Sequence, residues 1–364
     1  GGGTLTSGGG ARVGGAPAPV ALANPAVQWE ETEQVNVGLD ASFFRGRVET
    51  TLEWYNRNTN GILVQVPIPR YVGVNQQPFV NAAEVRNRGL EGTLTWFGQL
   101  GPATLELSAN GATVDNEVLA LGQGREEIFG GGIGVVPYTT RTVPGEPIGS
   151  YWGYVVEGVF QDQAEIDASP TRGPEVPGDL RYADLNGDGL INAEDQTFIG
   201  SPIPDVLYGF DADVRIGAFD MGVGFSGQSG NDVYNAKRQR RFEYENFEAT
   251  FLDRWTGPGT SNTEPRITND GHNYLASTRW IEDGSFLKLH SARLGYRLPQ
   301  TISQRMGVDV ARIYANGTNL FLWTDYTGYT PELTASSVIA SGLDEFNGVY
   351  PPARTLTLGI DLTF

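Results

Sequence analysis

The chain has 364 residues and a formal net charge of −18 at pH 7, with 43 Asp and Glu against 25 Lys and Arg. This surplus of negative charge argues against nucleic acid as a partner, because binding phosphates requires basic residues. Only 39% of the residues are hydrophobic, and no apolar run approaches the roughly 18 residues of a transmembrane helix. The absence of cysteine excludes disulfides and thiolate chemistry.

The chain opens on a glycine-rich stretch, and residues 1–27 are interpreted as a loop or linker. It has no initiating Met and no signal-peptide pattern. We therefore expect it to be a piece of a longer protein.

From residue 28 onward, apolar and polar residues alternate in separate segments, which predicts β-strands with one apolar face. The nine long segments are 35–43, 48–54, 90–96, 105–109, 210–216, 219–225, 286–297, 311–323 and 354–364. The last one is the clearest, because Leu356, Leu358, Ile360, Leu362 and Phe364 fall on one face of the strand. A soluble domain seldom ends on such an apolar edge, whereas a closed membrane barrel has no edge.

The lengths of the connections favour the same architecture. Short turns near residues 45, 100 and 217, with a modest one at 298–308, alternate with long polar connections. The long connections span about 60–83, 116–205, 230–283 and 324–352. Outer-membrane barrels have short periplasmic turns and long extracellular loops. A soluble β-sandwich also alternates, but it rarely carries several irregular loops of this size.

Aromatic residues are predicted to form two belts at the borders of an apolar band of roughly 25 Å. The belt beside the short turns would comprise Phe43, Phe44, Trp96 and Phe97. The belt at the opposite strand ends would comprise Trp54, Tyr55, Phe321 and Trp323.

Strand direction supports the expectation of a longer protein. If the last strand runs toward the periplasm, nine alternating strands place residue 1 outside the cell. Single-chain bacterial barrels have an even number of strands, and we expect both termini on the periplasmic side. The sequence thus predicts an arc of a barrel wall over residues 28–364, with further strands upstream.

Several motifs occur together in one order along the chain. They are residues 81–91, GEPIGSYWGY at 145–154 with EGVF at 157–160, DGSFLKL at 283–289 with LGYRLP at 294–299, ANGTNLFLWTDYTGY at 315–329, and YPPAR at 350–354. In this order they resemble the SusC/RagA class of TonB-dependent outer-membrane transporters over nearly the whole chain.

The resemblance implies an all-β fold, namely the C-terminal part of an antiparallel transmembrane barrel of about 22 strands. The family's plug domain and TonB-binding segment would lie upstream of this chain. The resemblance also implies a multi-pass protein in the outer membrane of a Gram-negative, Bacteroidota-like cell, in contact with membrane lipid. Its partners would be a SusD-like surface lipoprotein and the TonB complex, and its solute a glycan oligomer or a peptide.

One segment of the longest connection has the spacing of a calcium-binding loop. Residues 184–195 place oxygen ligands at positions 1, 3, 5, 7, 9 and 12, and these are Asp184, Asn186, Asp188, the Leu190 carbonyl, Asn192 and Asp195. Gly189 would allow the sharp turn, Ile191 would anchor the loop inward, and Asp195 replaces the usual Glu, as in dockerin-like loops. An Asn-Gly and Asp-Gly surface turn explains the glycines but not the further ligands. The pattern predicts structural Ca²⁺.

Other chemistry-bearing residues form no recognisable site. His290 is interpreted as a wall or lumen residue and His272 as a loop residue, and neither has a nucleophile at a recognisable spacing. The basic run at 237–241 is interpreted as a solvated loop patch. The aromatic rings of Tyr151, Trp152 and Tyr329 could stack on sugars, although folding within the loop is the favoured role. The sequence therefore nominates no substrate-binding residue.

The favoured interpretation is a TonB-dependent nutrient importer that performs no bond chemistry. A calcium-dependent adhesion or scaffold protein of soluble β-sheets is the alternative, and a dependence on detergent would separate the two. A secreted glycan-degrading enzyme is a third possibility, which the release of sugar by the purified protein would support.

Overall fold

The structure is a computed structural model that describes residues 24–65, 78–134, 136–239, 247, 249–268, 271–333, 337–345 and 350–364. Most of the predicted linker at 1–27 therefore lies outside the described residues.

The strands and α-helices are numbered along the chain. The strands are β1 (Glu31–Phe43), β2 (Val48–Gln65), β3 (Phe79–Leu100), β4 (Ala103–Thr113), β5 (Asp115–Leu121), β6 (Ile128–Gly130), β7 (Thr140–Thr142), β8 (Ser150–Tyr154), β9 (Val156–Val159), β10 (Leu180–Tyr182), β11 (Gln196–Gly200), β12 (Val206–Ile216), β13 (Phe219–Ser229), β14 (Asp232–Tyr234), β15 (Ile281–Asp283), β16 (Phe286–Arg297), β17 (Val310–Thr324) and β18 (Thr355–Thr363). The α-helices are α1 (Gln163–Asp167), α2 (Ala236–Gln239) and α3 (Gln300–Arg305). Short 3-10 helices lie at Gly122–Gly124, Ala193–Asp195, Ala249–Asp253, His272–Tyr274, Thr278–Trp280 and Val338–Ala340.

Nine long strands form one antiparallel sheet, which we call the wall. Its order is β1-β2-β3-β4-β12-β13-β16-β17-β18, and β5 pairs with β3 beside this path. These nine are the long strands that the alternation predicts. Short turns join neighbouring strands at one end of the wall, and every long connection leaves from the other end. In the part of the chain that the structure describes, β1 and β18 do not pair with each other, so the wall is an arc.

One face of the wall is apolar from strand to strand because the register keeps the apolar positions side by side. Leu39 pairs with Leu52, Phe210 with Phe225 and Ile313 with Ile360. On β18, Leu358, Ile360 and Leu362 are 83%, 63% and 42% exposed. No second sheet or helix of the described residues covers them. This excludes the β-sandwich alternative, in which such a face would form the core.

The opposite face of the wall is polar and carries ion pairs between strands. Arg293 on β16 pairs with Asp213 on β12. Arg312 on β17 pairs with Asp220 on β13 at 2.6 Å and with Asp361 on β18 at 2.9 Å. A side chain on Gly222 would place its Cβ 2.7 Å from Arg293 Nε, so a glycine there leaves room for the pair to cross β13.

The aromatic belts are partly as predicted. Phe43, Phe44 and Trp96 are exposed near the short turns, and Trp54, Phe321 and Trp323 are exposed further along their strands. The belt positions predicted for Tyr55 and Phe97 are wrong. Each directly follows a belt tryptophan in its strand, and successive side chains of a strand point to opposite faces.

Some strands extend beyond the lengths that alternation predicts. The connection expected at about 60–83 is shorter, because β2 continues to Gln65 and β3 begins at Phe79. Beyond the apolar band these strands pack on other parts of the protein. Val64, Val80 and Val85 are buried there with Val118, so the two-residue period is lost.

The long connections build a second region, which we call the loop layer. It contains three small antiparallel sheets, β9 with β10, β14 with β15, and β6-β7-β8-β11. Unlike the apolar band of the wall, it has hydrophobic cores, one of which holds the fully buried side chains of Tyr151, Tyr234 and Trp280. A second core holds Tyr154, Val159, Leu180, Tyr182 and Ile191. Separately, none of the described helices has both the length and the hydropathy needed to cross a membrane.

Candidate functional site

The predicted cation loop, residues 184–195, lies between β10 and β11 in the loop layer. Gly187 and Gly189 have positive φ angles of 77° and 84°, which glycine adopts without strain. The loop ends in the 3-10 helix Ala193–Asp195, whose first N–H groups are capped by the side chain of Asn192.

Hydrogen bonds from the backbone hold the first half of this loop. The Asp184 carboxylate accepts the N–H groups of Gly187 at 2.7 Å and Gly189 at 2.9 Å. These bonds, above all that from Gly189, hold the pKa of the Asp184 carboxyl below its usual range. Asp188 N–H donates to Asn186 Oδ1 at 2.9 Å, and Leu190 N–H donates to Asp188 Oδ1 at 2.8 Å. The carboxylate at position 1 is thus charged at neutral pH.

Asp195 closes the loop. It is fully buried, and its two carboxylate oxygens accept the N–H groups of Leu185 at 3.0 Å and Asn192 at 2.8 Å. Ile191 is buried in the second core of the loop layer, and its N–H donates to Thr171 O at 3.0 Å. The prediction that Ile191 anchors the loop inward is confirmed.

The donor set of the loop fits a hard cation, since every predicted ligand offers oxygen. The side chains of Asp184 and Asp195 lie close enough to interact, but the three carboxylates do not all converge in this conformation. Asp188 Oδ2 instead accepts the side-chain amides of Asn186 at 3.2 Å and Asn192 at 3.4 Å. Across the described ranges, no three His, Cys, Asp or Glu side chains lie close enough together to hold a metal ion. Glu194, which the spacing did not single out, accepts a bond from the Asn186 amide at 3.2 Å.

The basic run at 237–241 is not a solvated patch where the structure describes it, so that prediction is wrong for its first residues. Lys237 pairs with the fully buried Asp344 at 2.7 Å. Arg238 pairs with Glu264 at 2.8 Å and Glu282 at 3.1 Å. The spacing of charges along the sequence could not reveal these partners, because Asp344 comes from another connection and the two glutamates lie 26 and 44 residues from Arg238.

Both histidines have surroundings that explain them without catalysis. His272 Nε2 lies 2.6 Å from Leu180 O, and its Nδ1 lies 3.6 Å from Glu175 Oε1. His290 lies on β16 at a break in the register with β13, where its ring covers Gly224. Tyr151 acts in folding, since its hydroxyl donates to Gly342 O at 2.9 Å.

Comparison with known proteins agrees with this architecture. The β-barrel model of TonB-dependent receptor-like proteins matches residues 1–320. TonB-dependent receptor P26 of Formosa agariphila is 34% identical over 94% of this chain and 35% of its own length. TonB-dependent receptor SusC of Bacteroides thetaiotaomicron is 26% identical over 94% of this chain and 32% of its own length. This chain therefore spans about a third of the length of these curated relatives.

The fold resembles solved structures of one transporter. The RagAB peptide transporter aligns with a TM-score of 0.74 at 22% identity, covering 99% of this chain and 38% of the solved chain. At this identity the likeness concerns the fold. The matched family model, the curated relatives and the arc of nine strands agree, and the chain belongs to the TonB-dependent receptor β-barrel family as a barrel portion of the SusC/RagA type.

Proposed function

We propose that this chain forms part of the wall and the extracellular loops of a transporter that imports a nutrient across the bacterial outer membrane. The observation that carries the proposal is the apolar face of the wall, which runs across all nine strands and which the described residues leave uncovered. Lipid is the environment that such a face requires, while the polar face with its ion pairs suits a water-filled or plugged lumen.

The proposed energy source is the inner-membrane proton gradient, relayed by the TonB complex to a part of the protein outside this chain. The proposed partner is a SusD-like lipoprotein that closes over the loop layer. The loop layer has packed hydrophobic cores, which give it the fixed shape that a docking surface needs. The solute is proposed to be a glycan oligomer or a peptide. One structural neighbour is a peptide transporter by name, and SusC is a curated relative.

We further propose that residues 184–195 bind Ca²⁺ and that the ion stiffens the loop layer where the SusD-like lipoprotein docks. The oxygen-only donor set, the low pKa of Asp184 and the anchored Ile191 support this proposal. Asp184, Asn186, Asp188, the Leu190 carbonyl, Asn192 and Asp195 would hold the ion. Its contribution would be to neutralise three carboxylates that repel one another when they converge.

Uptake by whole cells tests the proposed function. The gene is deleted in the host, and the cells are given labelled oligomers. The class of oligomer is chosen from the substrates of the hydrolases that neighbouring genes encode. We expect uptake to be lost in the deletion strain and restored by the gene, and we expect a protonophore to abolish uptake in the wild-type and complemented strains. Undiminished uptake in the deletion strain, or uptake that resists the protonophore, would contradict the proposal. The apolar face that the described residues leave uncovered argues against a soluble adhesion protein.

A further inference from the structure

A cavity of about 450 Å³ lies in the loop layer, away from the polar face of the wall. Its lining comes from residues 136–138, 172–175, 271–272 and 274–276, with Tyr154 and Gln196. The volume falls within the range of about 300–1,000 Å³ that is typical of cavities for small ligands. Most of the lining is apolar or aromatic, including the tyrosines at 138, 154 and 274, and few polar groups face the space.

Arg172 provides the positive charge at this cavity. Its Nη1 donates to the Tyr154 hydroxyl at 2.9 Å, and its guanidinium lies 5.6 Å from the centre of the Tyr154 ring. The side chain is exposed, and no carboxylate of the described residues lies within ion-pair distance of it. Five other arginines of the loop layer do have such partners, namely Arg141, Arg181, Arg238, Arg266 and Arg279. In a chain with 43 acidic residues, an arginine that faces a cavity without an acidic partner can receive an anionic ligand.

The acid nearest to Arg172 in the sequence does not neutralise it. Glu175 is buried, and its two oxygens accept the backbone N–H groups of Arg172 at 2.6 Å and Gly173 at 2.8 Å. These bonds fix the turn that carries Arg172 at the edge of the cavity. Because the carboxylate of Glu175 is engaged by its own turn and lies near His272, the guanidinium of Arg172 stays available on its solvent side.

We propose that this cavity binds the carboxylate-bearing end of an oligomeric solute. Arg172 pairs with the carboxylate in the planar geometry that guanidinium favours. The ring of Tyr138, which is half-buried whereas Tyr154 and Tyr274 are buried, covers the flat ring or apolar side chain beside the carboxylate. That such a solute reaches the cavity rests on the proposed import function, whereas the binding itself does not require transport.

Binding is measured by calorimetry on the protein purified from its own outer membrane in detergent. Trigalacturonate and the tripeptide Gly-Gly-Phe each present a carboxylate, one from an acidic sugar and one from a peptide end. Their matched controls without that group are α-1,4-linked galactotriose and the C-terminal amide of the same tripeptide. We expect one acidic probe to bind at least tenfold more tightly than its control, and which probe does so identifies the source of the carboxylate.

Three variants assign the effect to the cavity. R172Q should lose the preference for the acidic probe, and R172K should keep part of it because the positive charge remains. R181Q is the control, since Arg181 is a loop-layer arginine that lies outside the cavity and pairs with Glu157 at 3.4 Å. The mobility shift on heating in detergent verifies the fold of each variant. Equal binding of acidic and neutral probes, no binding of either acid, or an unchanged preference in R172Q would each overturn the proposal. Loss of uptake in the deletion strain together with any of these results would leave the import function standing.

Discussion

Asp188 occupies the centre of the polar contacts in the loop at 184–195. One of its oxygens accepts the Leu190 N–H, and the other accepts the amides of Asn186 and Asn192. In this conformation two amide groups face the carboxylate with their nitrogen atoms. Rotating each amide by half a turn would present oxygen instead, the atom that a calcium ion requires. The rotation would break the bonds that Asn186 Oδ1 and Asn192 Oδ1 now accept from the N–H groups of Asp188 and Glu194, so a cation site would replace these hydrogen bonds with metal contacts.

Replacing Asp188 tests which of the two roles the loop has. We expect the purified protein to bind Ca²⁺ in a calorimetric titration, and Asp188→Ala to weaken this binding about tenfold or more by removing one of three carboxylates. Asp167→Ala is the matched control, because Asp167 is an exposed acid of the same connection that lies outside the loop. No calcium binding by the wild-type protein, together with unchanged loop order in Asp188→Ala, would refute the cation site.

The spacing of ligand types along the chain predicts which residues this loop gathers, because a twelve-residue loop folds mainly on itself. The buried Ile191 follows from the same spacing. The contact between Glu194 and Asn186 could not be predicted, since it depends on the rotamers of two exposed side chains. The proposed role of Arg172 likewise could not be predicted from the sequence. What distinguishes this arginine is its position at a cavity without an acidic partner, and both the cavity and the partners can be recognised only when distant segments are placed in space.

At the scale of the strand, the two faces of the wall differ in what they tolerate. Leu94 on β3 is exposed on the apolar face, and the neighbouring Thr93 is exposed on the polar face, where Glu53 and Glu91 lie close by. An arginine in place of Leu94 would enter lipid, whereas an arginine in place of Thr93 would enter the lumen beside acidic residues. The same substitution at two adjacent positions thus reports on the solvent of each face.

We expect Leu94→Arg to destabilise the barrel by about 2–4 kcal/mol and Thr93→Arg to have little effect. The measurement is the midpoint of unfolding in lipid or detergent, followed by the change in mobility on heating. Equal loss of stability in both variants would contradict the assignment of the two faces, as would greater loss in Thr93→Arg.

The strands of the wall are predictable because lipid imposes one requirement on every second residue. No comparable rule governs the loop layer. Its contacts join connections far apart in the chain, such as the bond from the Thr140 hydroxyl to Ile339 O at 2.6 Å. The buried pair of Lys237 with Asp344 has the same origin. Alternation therefore predicts the order of the nine long strands, while the short sheets and cores of the loop layer appear only in the structure.

The whole molecule combines two regions that are stabilised in different ways. The loop layer has hydrophobic cores and buried ion pairs, as a soluble domain has. The wall has hydrogen bonds between strands and an apolar face without a protein partner in the described residues. In water, that face would be exposed as a contiguous apolar patch far larger than those on soluble monomers. The wall thus depends on an apolar solvent, and the loop layer does not.

Removal of detergent from the purified protein separates these two requirements. We expect the protein to sediment as a single species in micelles and to aggregate when the detergent is withdrawn, because the apolar faces of different molecules then associate. Transfer into lipid nanodiscs instead of plain buffer should preserve the single species, since lipid covers the same face. A monodisperse, folded protein in buffer without detergent would mean that another protein surface covers Leu358 and Ile360. The membrane assignment would then be wrong, and a soluble adhesion protein would be the favoured interpretation.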